Sequence, residues 1–199
     1  MSSSATHSLF LHLLSAAIWD KPANAKLFEE LSTKTWRDIE HIAKRQTVSA
    51  LIADKALSLP EGSLPPKEVS VRFMADISHK KHQNKRMIKV LAYIKEAYDE
   101  AGMPFCLLKG LSNGVNYPQP LLRSAGDIDL LLYRKGDYES GKLWCKERGI
   151  EIEDADHIHY AFDKDGIRIE NHRRISYFDN KRYDGLFRQW EAELSNKEN

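Results

Sequence analysis

Between Gly102 and Pro104 the chain changes its repeat, and that change restricts the available folds more than any other feature. Upstream, apolar residues recur at the three-and-four spacing of one helix face. Phe10, Leu13, Leu14, Ala17 and Ile18 form one such set. Trp36, Ile39, Ile42 and Ala43 form a second, and Thr35-x-x-Asp38 ahead of them predicts the helix cap. A third helix is predicted over 48–57. The segment Pro60-Glu-Gly-Ser-Leu-Pro-Pro66 carries three of the seven prolines and must break the helical run, because proline lacks the N–H a helix interior needs. Beyond it, Phe73, Ile77, Met87, Leu91, Ile94 and Tyr98 fit one long helix or two stacked ones, ending at Gly102 with Pro104 behind it.

Downstream the pattern becomes that of short strands. Residues 105–108 and 128–133 are apolar runs, and residues 111–117 between them fit one or two helical turns before Pro118-Gln-Pro120. A helix is predicted over 137–148, with Tyr138, Leu143 and Trp144 as buried positions and Gly149 as its stop. A strand is predicted over 150–153. Residues 159–162 and 167–172 flank Asp163-Lys-Asp-Gly166, a polar turn ending in glycine, which predicts a hairpin. A last helix over 183–194 puts Leu186, Phe187, Trp190 and Leu194 on one side. The expectation is an α+β chain in which a helical region over 1–102 packs on a mixed sheet with flanking helices over 103–199.

Composition narrows the function. Thirty Lys and Arg stand against 29 Asp and Glu, a net charge of +1, so no bulk field marks a nucleic-acid or membrane-surface binder. Lys80, Lys81, Lys85, Arg86 and Lys89 form a basic stripe on a helix, which reads first as a solvated face and, as the alternative, as a surface that could meet nucleic acid. Cys106 and Cys145 lack metal-site spacing, which points to a reduced protein without structural zinc. Residues 9–19 are interrupted by His12 and follow no basic stretch, so they read as an amphipathic helix rather than a signal peptide. No run reaches the roughly 18 apolar residues of a membrane span, and a soluble cytoplasmic protein is expected.

The stretch with most chemistry is Arg123-Ser-Ala-Gly-Asp-Ile-Asp-Leu-Leu-Leu132. Strand alternation projects Asp127 and Asp129 to one face and Ile128 into the core. Two carboxylates held together repel each other unless a cation lies between them. In Ile167-Arg-Ile-Glu-Asn-His172 the same alternation puts Arg168, Glu170 and His172 on one face, which makes Glu170 a third acid for a Mg²⁺ and nucleoside triphosphate site. Lys109-Gly110, between a strand end and a helix start, is a candidate phosphate-binding turn, since an ammonium and backbone N–H groups favour phosphate. Arg123 is a candidate for bidentate phosphate contact or for pairing with an aspartate. His157, His159 and His172 are candidates to join a metal.

Taken together, Leu108-Lys-Gly110, Tyr117-Pro118, Arg123, Gly126-Asp-Ile-Asp-Leu130 and Ile169-Glu-x-His172 resemble the uncharacterised nucleotidyltransferase family of the DNA-polymerase-beta-like superfold. Trp36 and Ala43-Lys-Arg-Gln-x-Val48 resemble that family's leading region, so the likeness spans about residues 9–190. The resemblance implies a nucleotidyltransferase-type sheet with Asp127, Asp129 and Glu170 as catalytic metal ligands for Mg²⁺ or Mn²⁺. It implies Lys109, Gly110, Ser112 and Arg123 around a nucleoside triphosphate. The phosphate turn departs from the superfold's usual Gly-Ser by carrying Lys109-Gly110, with Ser112 two positions later. Family members tend to be longer, so the chain is expected to be the N-terminal part of a longer protein. The implied activity is metal-dependent transfer of a nucleotidyl group, with the acceptor open among protein, RNA, sugar and antibiotic. Two rivals stand beside it: a non-catalytic nucleotide- or metal-binding module of the same fold, antitoxin-like or regulatory, and a phosphohydrolase assisted by His159 and His172.

Overall fold

The computed structural model describes residues 3–154 and 158–197, with seven α-helices and one five-stranded sheet among them. The contacts divide the chain into two units, residues 1–85 with 113–124 and residues 86–112 with 125–199. The mixed helix-and-sheet composition is that of the expected α+β class.

The first unit holds α1 (Ser3–Ile18), α2 (Thr33–Arg45), α3 (Ser49–Leu57) and the beginning of α4 (Lys67–Glu100). Its core is Phe10, Leu13, Phe28, Trp36, Ile39, Ile52 and Phe73; the helical spacing selects five of these, and Phe28, outside any α-helix, is stacked on Trp36. The cap of α2 differs from the expectation: Ser32 Oγ accepts from the Thr35 backbone N–H, so the helix begins at Thr33. Beyond Pro66 the apolar residues lie on one continuous helix of 34 residues, not on two stacked ones. Residues 113–124 are tied to this unit by hydrogen bonds. The buried Asn84 amide donates to the carbonyls of Leu121 and Arg123, both at 2.8 Å, and Ser124 Oγ donates to the Thr47 carbonyl.

The second unit is built on strands β1 (Cys106–Leu107), β2 (Ile128–Leu131), β3 (Glu153–Asp154), β4 (His159–Lys164) and β5 (Ile167–His172), in the spatial order β1-β2-β5-β4-β3. Only β2 and β5 run parallel; the other three neighbouring pairs are antiparallel. Ile128, Leu130, Tyr160, Phe162 and Ile169 turn to a core shared with Met87, Ile94 and Tyr98 of α4 and with Tyr138 and Trp144 of α6 (Asp137–Glu147). Leu143 is 55% exposed, so the α6 face turned to the sheet runs through Tyr138, Gly141, Trp144 and Cys145 instead. Gly141 gives that face its close approach: a Cβ there would stand 2.4 Å from the Tyr160 hydroxyl, so a larger residue would have to displace the Tyr160 ring.

The β4–β5 turn is tighter than its polar sequence suggests. The strands extend to Lys164 and from Ile167, leaving Asp165 and Gly166 with φ of 52° and 71°, the two-residue turn whose twist matches antiparallel strands. Arg86 donates to the Asp165 carbonyl at 2.6 Å. The predicted strand at 150–153 pairs with β4 only at Glu153 and Asp154, while Ile150 and Ile152 pack on the core. A one-turn helix α5 (Leu111–Gly114) follows β1, and the chain's last described helix is α7 (Lys181–Lys197).

Candidate active site

The parallel register of β2 and β5 sets Asp129 beside Glu170, and the antiparallel register of β4 and β5 sets His159 beside His172. Because strand side chains alternate, these four project from the sheet face opposite the apolar core. Asp129 is fully buried, and its Oδ1 lies 3.2 Å from His172 Nε2. His172 Nε2 in turn lies 3.5 Å from Glu170 Oε2, and His159 Nε2 lies 3.9 Å from the same oxygen. The two imidazoles are stacked, with centroids 4.9 Å apart. One donor atom each from Asp129, Glu170 and His172 falls within a 4.8 Å cluster.

Two further groups come from the loops at the mouth. Asp127 sits immediately before β2 with a part-buried side chain. Lys109 follows the β1 edge: the Leu108 N–H donates to the Asp129 carbonyl, which fixes the next residue over the carboxylates. The Lys109 ammonium lies 2.9 Å from Asp129 Oδ1 and 3.9 Å from Asp127 Oδ2. Gly110 makes this approach possible. Its φ is 68°, and a Cβ would stand 3.3 Å from the Asp127 carbonyl oxygen, so a larger residue is strained there on both counts. Ser112 Oγ donates back to the carbonyls of Leu108 and Lys109, closing the turn upon itself.

The electrostatics of the two aspartates diverge. Burial raises the Asp127 carboxyl, and the neighbouring Asp129 charge raises it further. For Asp129, burial pushes upward but is outweighed by hydrogen bonds from His172 and Lys109, which hold the group below the usual carboxylate range. Burial alone would depress the Lys109 ammonium; its bond to Asp129 raises it instead.

Asp129 Oδ2 is buried without a hydrogen-bond partner among the described residues. A buried carboxylate oxygen with no donor carries a desolvation cost that only another group can relieve. With Asp127 and Glu170 adding oxygens and His172 adding a nitrogen, the donor set suits a divalent cation.

Asp127, Asp129, Glu170, His159, His172 and Lys109 lie in one unit and come together. Arg123 belongs to the other unit, where its guanidinium lies over the Tyr117 ring and donates to the Ser124 carbonyl. His157 lies outside the described residues. What sequence reasoning missed is the Lys109–Asp129 ion pair; its signal is that β1 pairs with β2 in antiparallel fashion, and two short strands do not announce which edge they share.

A mixed sheet presenting acids from two parallel neighbours is consistent with an α+β nucleotidyltransferase-like fold. The chain belongs to the uncharacterised nucleotidyltransferase family, whose sequence profile matches residues 32–198. No curated protein and no solved structure gives a significant match. No described helix is long and apolar enough to cross a membrane.

Proposed function

We propose that the protein moves a nucleotidyl group from a nucleoside triphosphate to an acceptor hydroxyl, releasing pyrophosphate, with Mg²⁺ or Mn²⁺ held by Asp127, Asp129 and Glu170. Held by these carboxylates, a divalent cation would supply positive charge against the triphosphate and a template for the α-phosphate. The chain's own residues do the rest. Asp129 and Asp127 fix the cation side of the site, and the exposed stem of Lys109 lets its ammonium meet phosphate oxygens. Gly110 and Ser112 hold the turn so that backbone and ammonium face the same way. Glu170 accepts the proton of the acceptor hydroxyl, with His172 beside it to share that charge. The same reading places the protein in the cytoplasm, where nucleoside triphosphates are.

The observation that carries this reading is the buried Asp129, with an unpartnered oxygen, in register with Glu170 on a parallel strand. The test is pyrophosphate release from each of the four ribonucleoside triphosphates with Mg²⁺ or Mn²⁺, over protein, RNA, sugar and aminoglycoside acceptors. Metal-dependent pyrophosphate release that Asp129→Asn abolishes is the expected result. Tight triphosphate binding without product would leave a binding module. Phosphate released from a monoester would mark a hydrolase, for which the stacked His159 and His172 beside Glu170 are the favouring observation.

A further inference from the structure

We propose that Lys109 is a displaceable counter-cation: its ammonium balances Asp129 and Asp127 in the metal-free protein and is released to the triphosphate when a divalent ion takes its place. The inference rests on the metal-site reading above and deepens it by assigning how that site is held before it is filled.

The argument starts from charge. Asp129 and Glu170 bring two carboxylates to one sheet face, Asp127 adds a third from the segment before β2, and Asp129 is fully buried, so the metal-free site needs a cation nearby. Arg168 shares the β5 face but is committed to Glu153. The ammonium of Lys109 supplies the charge, and at 2.9 Å from Asp129 and 3.9 Å from Asp127 it straddles both carboxylates, as a bridging ion would. A divalent ion on those oxygens would sit within a few ångströms of the ammonium, and two cations at that separation repel strongly in a part-buried site. One must leave. The lysine is built to do so, because its side chain is 60% exposed, whereas Asp129 is not exposed at all. A compact charge on a flexible stem swings into solvent at little cost, which a planar guanidinium paired at two oxygens does not.

The consequence is reciprocal coupling. Metal binding frees the ammonium for phosphate, and a triphosphate that captures the ammonium clears the carboxylates for metal, so each ligand strengthens the other through one side chain. A lysine serving only as a structural partner of Asp129 would instead be needed for metal binding or irrelevant to it.

The test is Mn²⁺ affinity at pH 8, measured by calorimetry on the full chain as wild type, Lys109→Met, Lys109→Arg and Asp129→Asn, with and without a non-hydrolysable triphosphate. Without nucleotide, Lys109→Met should bind Mn²⁺ about tenfold more tightly than wild type, since it removes the competing charge. Lys109→Arg should bind no better than wild type. The triphosphate analogue should raise Mn²⁺ affinity in wild type and lose most of that effect in Lys109→Met. In case Lys109→Met folds poorly, amine labelling of Lys109 in the wild type, read by mass spectrometry, should rise when Mg²⁺ is added. Equal or weaker Mn²⁺ binding by Lys109→Met, or labelling indifferent to Mg²⁺, overturns the proposal while leaving the metal site standing. No Mn²⁺ binding by any of the four proteins at millimolar concentration removes the metal site and this proposal together.

Discussion

Each unit of the molecule buries a carboxylate, and the two are treated in opposite ways. In the helical unit, Glu40 on α2 is almost fully buried and answered by two cations: Lys44 at 2.8 Å and Arg72, whose Nε reaches both carboxylate oxygens at 3.0 and 2.9 Å. Burial pushes Glu40 upward, but these bonds outweigh it and hold the group low. In the sheet unit, Asp129 is more deeply buried, shares one oxygen between His172 and Lys109, leaves the other without a hydrogen-bond partner among the described residues, and has Glu170 and the charge of Asp127 beside it. Both carboxylates are stabilised in the ionised form, yet only Glu40 has a partner on each oxygen. A buried charge partnered on both oxygens ties helices together; one left short of donors, among like charges, is what a bound cation would complete.

The sharpest way to break this comparison is at the acids themselves. Asp129→Asn should weaken Mn²⁺ binding by about a hundredfold or more, because it removes the charge at the centre of the donor set. Calorimetry that finds unchanged affinity would show that Asp129 is as structural as Glu40. The matched change, Glu40→Gln, should lower stability by about 2 kcal/mol, since it weakens three charge-assisted hydrogen bonds to a buried group. Its urea midpoint should fall with Mn²⁺ affinity intact; a loss of metal binding would mean that the two acids are not independent.

The smallest effect concerns Asp127 and carries a pH signature. A carboxyl raised in the folded state costs nothing in acid, where it is protonated folded and unfolded alike, and costs stability as pH climbs through and above the ordinary carboxylate range. Asp127→Asn should therefore match wild type in acid and exceed it near neutrality by about 0.5 kcal/mol, discounted for solvent screening of a part-exposed group. Asp129 and Glu40 have the opposite sign: their depressed values contribute stability that is present above the usual range and lost as pH falls through the folded values. Urea midpoints for wild type and Asp127→Asn that run parallel from acid to neutral pH would show that repulsion from Asp129 is relieved in some other way.

Much of this arrangement is legible in the sequence where a single period decides it. Alternation alone places Ile128 and Ile169 in the core and puts Asp129 and Glu170 on the opposite face, because a period of two leaves no other choice for a half-buried strand. Helical spacing likewise selects Trp36, Ile39 and Phe73. Leu143, which its hydrophobicity predicts inside, lies outside, because its neighbours Tyr138, Gly141 and Trp144 already define the packed face, and hydrophobicity without phase does not show this. Ser32 rather than Thr35 caps α2, since both residue types can cap and the sequence does not show which one leaves the helix. The Lys109 ion pair is further still from view. It depends on β1 lying against β2, a pairing of two residues with no pattern of its own.

The Asp165-Gly166 turn gives the site a parity. In a ladder with period two, faces are assigned by odd and even count from the turn, and here the odd-and-even choice decides whether β5 shows its neighbours Glu170 and His172 or Ile169 and Asn171. One residue inserted at the turn and absorbed by slippage would bring isoleucine and asparagine to the carboxylates and send a glutamate toward the Tyr98 hydroxyl that Asn171 now meets at 2.7 Å. Two inserted residues would preserve the faces. An insertion that a longer loop absorbs leaves the faces as they are, so the site depends on the register of this hairpin and not on the length of its loop.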